Sequence, residues 1–230
     1  APVPPSVVES IRETLTGEAA DIHTPYGATE ALPVAVISGR EITETTAADS
    51  SRGAGTCVGT LFPEVDVRIA EIDDRPIELF ADLNLLDTGQ IGEIVVRGPS
   101  VTTSYFRREE ANRAAKVRDG DSTWHRMGDV GYLDPTGRLW FCGRKNHRVE
   151  TEHETLFSVP CEAIFNQHPD VRRSALVGLG DRPRQQPLII IECQPGSSPG
   201  DRLVEELKRL AEQNSLTDSI QLVQIVRYHT

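Results

Sequence analysis

The chain has 230 residues, of which 38% are hydrophobic, and it carries a formal net charge of −11 at pH 7. This length suits one large domain or a domain and a half, with enough apolar residues to bury a core. The acidic balance excludes a nucleic-acid surface, because phosphate binding needs clustered Lys and Arg, and no apolar run approaches the ~20 residues that span a bilayer.

The first half of the chain predicts one helix, a long loop and then a β-rich region. Apolar spacing after Pro4 predicts a helix that ends near Gly17, and residues 21–25 predict a short strand that runs into a turn. The polar stretch over residues 38–58 has little periodicity and predicts a long loop. Alternating and clustered apolar residues then predict strands, joined by turns and one short helix. The strands are expected at 65–69, 91–96, 124–133 and 139–142, and the helix at 108–117.

The pattern changes after residue 144. A helix is predicted at 159–167, strands at 171–179 and 188–193, an amphipathic helix at 201–214 with Asp201 as its cap, and a closing strand at 220–228. A helix–strand–strand–helix–strand order predicts a small α+β domain. We therefore predict two domains, residues 1–143 and residues 144–230, with the boundary at 143–146.

The cysteines and the chain start predict a cytoplasmic protein. The four cysteines lie far apart, with none at C-x-x-C spacing, which favours reduced thiols over zinc ligands or disulfides. The first residues, APVPP, contain no basic and apolar signal-peptide regions.

The segment Tyr26–Glu30, with the sequence YGATE, is the first candidate site. Small residues at Gly27 and Ala28 let backbone N–H groups approach a phosphate, and Thr29 offers a hydroxyl donor. Glu30 offers a hard oxygen ligand for Mg²⁺, which usually takes one or two carboxylates plus phosphate oxygens. The alternative is an ordinary turn that begins a helix, with Glu30 favouring the helix dipole.

Asp129 and Arg144 are the second and third candidates. Asp129 follows Gly128 in an apolar strand context, where its carboxylate can accept hydrogen bonds from a ribose diol. The alternative is a hairpin Asp that is satisfied by backbone N–H groups. Arg144, at the end of a strand, can reach the same ribose or a phosphate, or it is an exposed linker residue.

The charged segment 147–154 does not form a metal motif. It contains two histidines and three glutamates but does not match H-E-x-x-H, and alternating charge predicts a solvated strand or loop. No G-x-S-x-G sequence supports Ser-His-Asp catalysis.

Four ordered blocks together resemble the AMP-forming adenylating enzymes, the family of acyl- and aryl-CoA synthetases. Tyr26–Glu30 matches the family's Y-G-x-T-E block. Residues 92–99 (GEIVVRGP), followed by Tyr105 and Phe106, match G-E-[IL]-x-[VI]-[RK]-G-P. Residues 125–129 (HRMGD) match the T-G-D block with Met127 in place of Thr, and residues 143–145 (GRK) match the G-R-K that opens the hinge.

The resemblance implies a fold and a site. The fold would be mixed α/β and β: the end of the large adenylating-enzyme core with a distorted β-barrel subdomain, followed by the small α+β domain. ATP/AMP and Mg²⁺ would be the cofactors. Thr29 and Glu30 would be catalytic, with Thr29 on the α-phosphate and Glu30 on the metal. The other nucleotide contacts would be Tyr26, Gly27, Ala28, Asp129, Phe141 and Arg144, and Asn146 would stand at the hinge.

The departures favour one branch of the family. Where the family commonly shows K-x-x-G, with the Gly lining the channel for CoA, this chain has Glu150 and His153. The run from Trp140 to Asn166 is similar to the β-lactone synthetases of bacterial olefin biosynthesis, often catalogued as fatty-acid CoA ligases. In those enzymes the hydroxyl of a β-hydroxy acid closes a ring, so no external acceptor is needed.

The resemblance therefore implies ATP-dependent activation of a long-chain β-hydroxy fatty acid with β-lactone formation. The substrate would be this small-molecule carboxylic acid, and sister enzymes of an olefin pathway would be the partners. The alternatives are a fatty-acyl-CoA synthetase and a non-catalytic nucleotide-binding module. The family's pyrophosphate loop and adenylation lysine are expected before and after this chain, so the chain alone is expected to be inactive.

Overall fold

The computed structural model describes residues 3–17, 20–197 and 200–226. The chain forms two compact units, which we call the large unit (residues 1–47 and 56–141) and the small unit (residues 48–55 and 142–230). The predicted domains 1–143 and 144–230 stay a prediction.

An eight-stranded sheet dominates the large unit. Seven strands follow the order β1-β2-β3-β8-β7-β5-β4, and β6 pairs with β7. Every pairing with a defined register in this sheet is antiparallel. Within the described ranges no pairing joins β1 to β4, so the sheet is not a closed barrel. The strands are β1 (His23–Ala28), β2 (Ala31–Ser38), β3 (Thr56–Leu61), β4 (Asp66–Ala70), β5 (Gly92–Arg97), β6 (Lys116–Asp119), β7 (Ser122–Leu133) and β8 (Arg138–Arg144).

Alternation and apolar runs explain these strands. Val67 and Ile69 are 0% and 4% exposed, whereas Arg68 between them is exposed, as the two faces of a strand require. Strand β5 is buried along most of its length, which matches its continuous apolar run. The core on one side of the sheet contains Ala70, Leu83, Val95, Val117 and Trp124.

The predicted turn between β7 and β8 is confirmed. Asp134 Oδ1 accepts hydrogen bonds from the backbone N–H groups of Thr136 and Arg138, at 2.9 and 3.0 Å, and Asp134 Oδ2 accepts one from Trp140 Nε1 at 2.9 Å. An Asp that binds backbone two residues later is a common device of tight turns.

The helices are short. They are α1 (Pro5–Arg12), α2 (Gly39–Glu41), α3 (Ala47–Asp49), α4 (Glu109–Ala115), α5 (Ser158–Phe165) and α6 (Asp201–Glu212), with π-helical turns at Ile42–Thr46 and Ser50–Ala54 and 3-10 turns at Phe80–Asp82 and Lys145–His147. Helix α1 ends at Arg12, before the predicted end near Gly17. Among the described residues, no helix has the length and apolar character needed to cross a membrane.

The predicted loop over residues 38–58 is wrong. Helical turns occupy most of it, from α2 to the π-helical turn Ser50–Ala54. The Ser38 hydroxyl accepts a hydrogen bond from the Glu41 N–H at 3.1 Å, which caps the start of α2. Ile42 and Thr46, four residues apart, are both buried. Capping and tertiary packing therefore outweigh the weak helix propensity of this polar stretch.

The small unit has the predicted α+β order. Helix α5 precedes strands β11 (Val171–Leu179) and β12 (Gln186–Cys193), and α6 precedes β13 (Leu222–Val226). Strand β12 pairs antiparallel with β11 and parallel with β13. A two-stranded hairpin of β9 (Val149–Glu150) and β10 (Thr155–Leu156) comes before them. The helices and the sheet share one core, which includes Phe165, Ile189, Ile191, Leu207 and Ile220.

Two details of the small unit differ from the prediction. Gly200, and not Asp201, is the N-cap of α6, and no side chain caps this helix. Strand β13 begins at Leu222 and ends at Val226, and the rest of the predicted strand, residues 227–228, lies outside the described residues.

Candidate functional site

The segment Tyr26–Glu30 forms the end of β1 and a tight turn. Ala28 pairs with Ala31, so Thr29 and Glu30 connect two antiparallel strands, and the alternative of a turn that begins a helix is wrong. A Cβ atom on Gly27 would lie 2.4 Å from the Ala31 carbonyl oxygen. No other residue fits at Gly27 without moving the backbone.

Asp129 is placed by a bulge in β7. Glu93 pairs with Val130 and Val95 with Arg126, so β7 has two extra residues in this interval. Gly128, within the bulge, has a φ of +64°, which favours glycine. Asp129 therefore does not lie in the hairpin turn, and it is Asp134 that accepts backbone N–H groups there.

Tyr26, Asp129 and Phe141 come together from three strands. The Tyr26 hydroxyl donates a hydrogen bond of 2.7 Å to Asp129 Oδ2, although 103 residues separate them along the chain. The rings of Tyr26 and Phe141 lie 6.0 Å apart between centroids, and all three residues are buried. An acidic acceptor beside two aromatic rings is a suitable arrangement for a ribose and a planar base. The role of these residues in nucleotide binding stays a prediction.

Glu30 is held by a segment that the sequence analysis did not assign to the site. The Tyr105 hydroxyl donates a 2.7 Å hydrogen bond to Glu30 Oε1, and the Thr102 N–H donates to the Glu30 carbonyl at 2.8 Å. The hydrogen bond from Tyr105 lowers the pKa of Glu30, against the raising effect of partial burial. Burial and the nearby carboxylate raise the pKa of Tyr105 to about 12. Glu30 is therefore ionised and Tyr105 protonated at neutral pH.

Two buried basic residues lie behind Tyr105. The Lys116 ammonium lies 5.3 Å from the centroid of the Tyr105 ring, and the ring of His125 meets that of Tyr105 edge to face at 6.5 Å. Burial, with the charge of Lys116, lowers the pKa of His125 to about 4, so its imidazole is neutral at pH 7. Burial also lowers the pKa of Lys116. The sequence signal for Tyr105 and His125 was their place in two family blocks, and Lys116 carried none.

A partly exposed Glu30 beside an exposed Thr29 fits a Mg²⁺ ion that is bound mainly through phosphates. Within residues 3–17, 20–197 and 200–226, no group of three or more His, Cys, Asp or Glu side chains could enclose a metal ion. A single carboxylate agrees with a cation that keeps several water molecules and is shared with its nucleotide.

Arg144 and Asn146 belong to the small unit. Arg144 is exposed at the end of β8, after Gly143, whose φ is +131° and whose added Cβ would lie 2.5 Å from Ser158 Oγ. Asn146 is exposed in a 3-10 turn, and its carbonyl accepts a 2.6 Å hydrogen bond from Arg182. The ribose and hinge roles of these two residues stay predictions.

The charged segment 147–154 is a hairpin with an internal ion pair. Arg148 Nε lies 2.6 Å from Glu150 Oε1, and the Arg148 side chain is 4% exposed. The Glu150 N–H donates to Gln185 Oε1 at 3.1 Å, and His153 is exposed in the turn. This geometry fits the predicted strand and loop.

Comparisons with known proteins agree with the motifs. A family model described as AMP-binding enzyme matches residues 1–106. The chain is 51% identical over 201 residues to a protein of Xanthomonas campestris pv. campestris named olefin beta-lactone synthetase, a match that covers 85% of this chain and 36% of that protein. A protein of the same name from Stenotrophomonas maltophilia is 49% identical over 213 residues, which cover 90% of this chain and 38% of that protein.

A solved structure has the same fold. An amide bond synthetase from Marinactinospora thermotolerans matches with a TM-score of 0.75 and 26% identity, over all of this chain and 42% of that one. The chain thus spans well under half the length of the relatives that it matches. The predicted mixed fold, that of a C-terminal part of an adenylating enzyme, is confirmed. Together the motifs, the fold and these matches show that the chain belongs to the family of AMP-binding enzymes.

Proposed function

We propose that the complete protein activates a long-chain β-hydroxy fatty acid as an acyl-adenylate and converts it to a β-lactone. The observation that carries this proposal is the 51% and 49% identity, over 85% and 90% of the chain, to two proteins named olefin beta-lactone synthetase. The contact between Tyr26 and Asp129 supports it, because the segments that match two of the family's blocks meet at one buried hydrogen bond.

In the first step a carboxylate oxygen of the acid attacks the α-phosphorus of ATP, and pyrophosphate leaves. Asp129, oriented by Tyr26, accepts hydrogen bonds from the ribose hydroxyls and so aligns the α-phosphate. Thr29 would donate to an α-phosphate oxygen, and Glu30 would supply the protein ligand for Mg²⁺. Bound Mg²⁺ neutralises phosphate charge.

In the second step the β-hydroxyl oxygen attacks the acyl carbon, the bond from that carbon to the AMP oxygen breaks, and the hydroxyl proton passes to solvent. No thiol is needed. Glu150 supports this choice, since it stands where the family carries Lys and is paired with Arg148 at 2.6 Å. The same proposal assigns Arg144 to the ribose and Asn146 to the hinge. It also places the protein in the cytoplasm, with enzymes of an olefin pathway as its partners.

The test is ATP–pyrophosphate exchange by the complete protein, followed by mass spectrometry of the products. A β-hydroxy acid should support both exchange and lactone formation, whereas the unsubstituted acid of equal chain length should support exchange alone. Asp129→Ala should abolish exchange, and wild-type exchange in this variant would contradict the ribose contact.

The two alternatives give different products. An acyl-CoA thioester, formed when CoA is added, would replace the lactone proposal by a fatty-acyl-CoA synthetase. Calorimetric binding of AMP without any exchange would favour a non-catalytic nucleotide-binding module.

A further inference from the structure

The carboxylate and the backbone of Glu30 are both held by one distant segment. The hydroxyl of Tyr105 reaches Glu30 Oε1 at 2.7 Å across 75 residues of sequence, and the N–H of Thr102 reaches the Glu30 carbonyl at 2.8 Å. Residues 102–105 therefore fix the side chain and the main chain of the same residue, although Thr102 itself is exposed.

Hydrogen bonds from buried or partly buried side chains hold residues 102–105 at both ends of the segment. At one end Lys116 Nζ donates to the Thr102 carbonyl and, at 2.9 Å, to Thr102 Oγ1. At the other end Asn112 brackets Tyr105: its Oδ1 accepts the Tyr105 N–H at 2.6 Å, and its Nδ2 donates to the Tyr105 carbonyl at 3.1 Å. Lys116 is only 9% exposed, so its ammonium is desolvated and its hydrogen bonds are strong.

The Tyr105 hydroxyl is thus a fixed donor. A phenol donates one hydrogen bond, while an ionised carboxylate has about four acceptor positions on two oxygens. Tyr105 fills one of these positions and determines the orientation of the others. Ligating carboxylates in metal sites are generally oriented by hydrogen bonds of this kind.

Resting on the proposed function, in which Glu30 is the metal ligand, we propose that Tyr105 is a positioning residue that orients the Glu30 carboxylate toward Mg²⁺, with Lys116 and Asn112 holding Tyr105 in place. Tyr105 does not touch the reacting atoms. Its contribution is to keep the ligand in one orientation before the metal–nucleotide complex arrives, which lowers the entropy lost on binding.

The test compares Tyr105→Phe with Tyr132→Phe in the complete protein. Each change removes one hydroxyl, and Tyr132 lies in the same unit, stacked on Trp140 at 6.0 Å. Loss of an outer partner of a metal ligand costs about 10- to 100-fold in metal affinity. Tyr105→Phe should therefore raise the Mg²⁺ concentration at half-maximal exchange by about 10-fold or more, and by more than it lowers kcat at saturating Mg²⁺. Tyr132→Phe should leave the midpoint unchanged.

A coupling measurement separates positioning from a merely structural role. In a Glu30→Gln background, Tyr105→Phe should add no further change in the Mg²⁺ midpoint, because the oriented carboxylate is already gone. An equal shift in both backgrounds, or a Tyr105→Phe midpoint within about twofold of wild type, would overturn the inference.

A measurement on the wild-type protein needs neither a variant nor turnover. With ATP present, Mg²⁺ should slow amide hydrogen exchange at residues 102–105, because metal binding immobilises Glu30 and with it this segment. Unchanged exchange there would also overturn the inference. If the wild type shows no ATP–pyrophosphate exchange with any tested acid, the proposed function fails. The other case is a normal exchange activity with no response in either measurement: Tyr105→Phe leaves the Mg²⁺ midpoint unchanged, and Mg²⁺ does not slow amide exchange at residues 102–105. Only the role of Tyr105 then fails.

Discussion

Glu93 and Arg126 form a buried ion pair, and the loss of either partner alone should strongly destabilise the sheet beside Asp129. Both side chains are 2% exposed, and Arg126 Nε and Nη2 donate to Glu93 Oε2 at 3.0 and 2.5 Å. Arg126 also donates to three backbone carbonyls, those of Asp73, Arg75 and Ala114. The pair therefore joins β5 to β7, and Glu93 pairs with Val130, the residue after Asp129.

The perturbation is Glu93→Gln, which keeps the shape and removes the negative charge. Breaking a buried ion pair from one side costs about 3–5 kcal/mol, because it leaves an uncompensated charge. Arg126 retains its three carbonyl partners, so we expect the lower end, about 3 kcal/mol. Arg126→Met should cost more, about 5 kcal/mol, since it leaves a buried carboxylate and also removes a donor from each carbonyl, at about 1 kcal/mol or more apiece.

The double variant gives the sharpest test. With neither charge of this pair present, Glu93→Gln with Arg126→Met should be more stable than Arg126→Met alone and should cost much less than the sum of the two single changes. Native-state hydrogen exchange of amides in β5 and β7 measures these opening free energies locally.

An exposed ion pair between β5 and the neighbouring strand β4 is the matched control. Arg97 and Asp66 lie 2.6 Å apart, but their side chains are 36% and 47% exposed. Asp66→Asn should cost less than about 1 kcal/mol. Equal losses for Asp66→Asn and Glu93→Gln, or strictly additive losses at the buried pair, would refute the reasoning that burial determines the contribution of this pair.

Three further predictions concern titration and reactivity. Burial raises the pKa of Asp134, but hydrogen bonds from its own hairpin lower it more, so the folded value is below the unfolded one. The stabilisation from ionised Asp134 is present above about pH 4 and is lost at lower pH. The Tm difference between wild type and Asp134→Asn should therefore shrink toward pH 2. A Tm difference that stays constant with pH would count against this prediction. Burial raises the pKa of Glu162 to about 7, against a lowering hydrogen bond from a backbone N–H. The stabilisation from its neutral form is complete below about pH 4.5 and is lost as the pH rises through 7. Glu162→Gln should therefore be more stable than wild type at pH 8 and equal to it at pH 4. Equal stability at both pH values would show that the Glu162 carboxyl ionises in the fold at its ordinary pKa, against this prediction. At pH 8 iodoacetamide should label the partly exposed Cys193 before the three buried thiols, which are those of Cys57, Cys142 and Cys161. Burial raises the pKa values of these three thiols to about 11 or 12. Mass spectrometry that finds a buried thiol labelled first would disprove this order.

The strands and the small α+β domain were predictable because their signals are local. Val67 and Ile69 alternate with charged residues, and the apolar run of β5 ends before Gly98. The turn after β7 depends on Asp134 and the residues that follow it directly. Such features depend on neighbours within a few positions, where side-chain periodicity and turn chemistry act.

The helical turns over residues 39–54 were not predictable by the same method. Their sequence is polar and rich in Thr and Ser, which favour loops when judged by propensity. Burial of Ile42 and Thr46 in the fold supplies the stabilisation that local preference lacks. A window of sequence does not contain the residues against which these side chains pack.

By itself, the sequence determined the family, the order of most strands and helices, and the identity of the candidate residues Tyr26, Glu30 and Asp129. Only the tertiary structure decided which hydrogen bonds hold these residues. The Tyr26 hydroxyl donates to Asp129, and the Tyr105 hydroxyl donates to Glu30. The physical reason is that these hydrogen bonds join residues 103 and 75 positions apart, and their geometry is determined by strand pairing and bulges rather than by any local pattern.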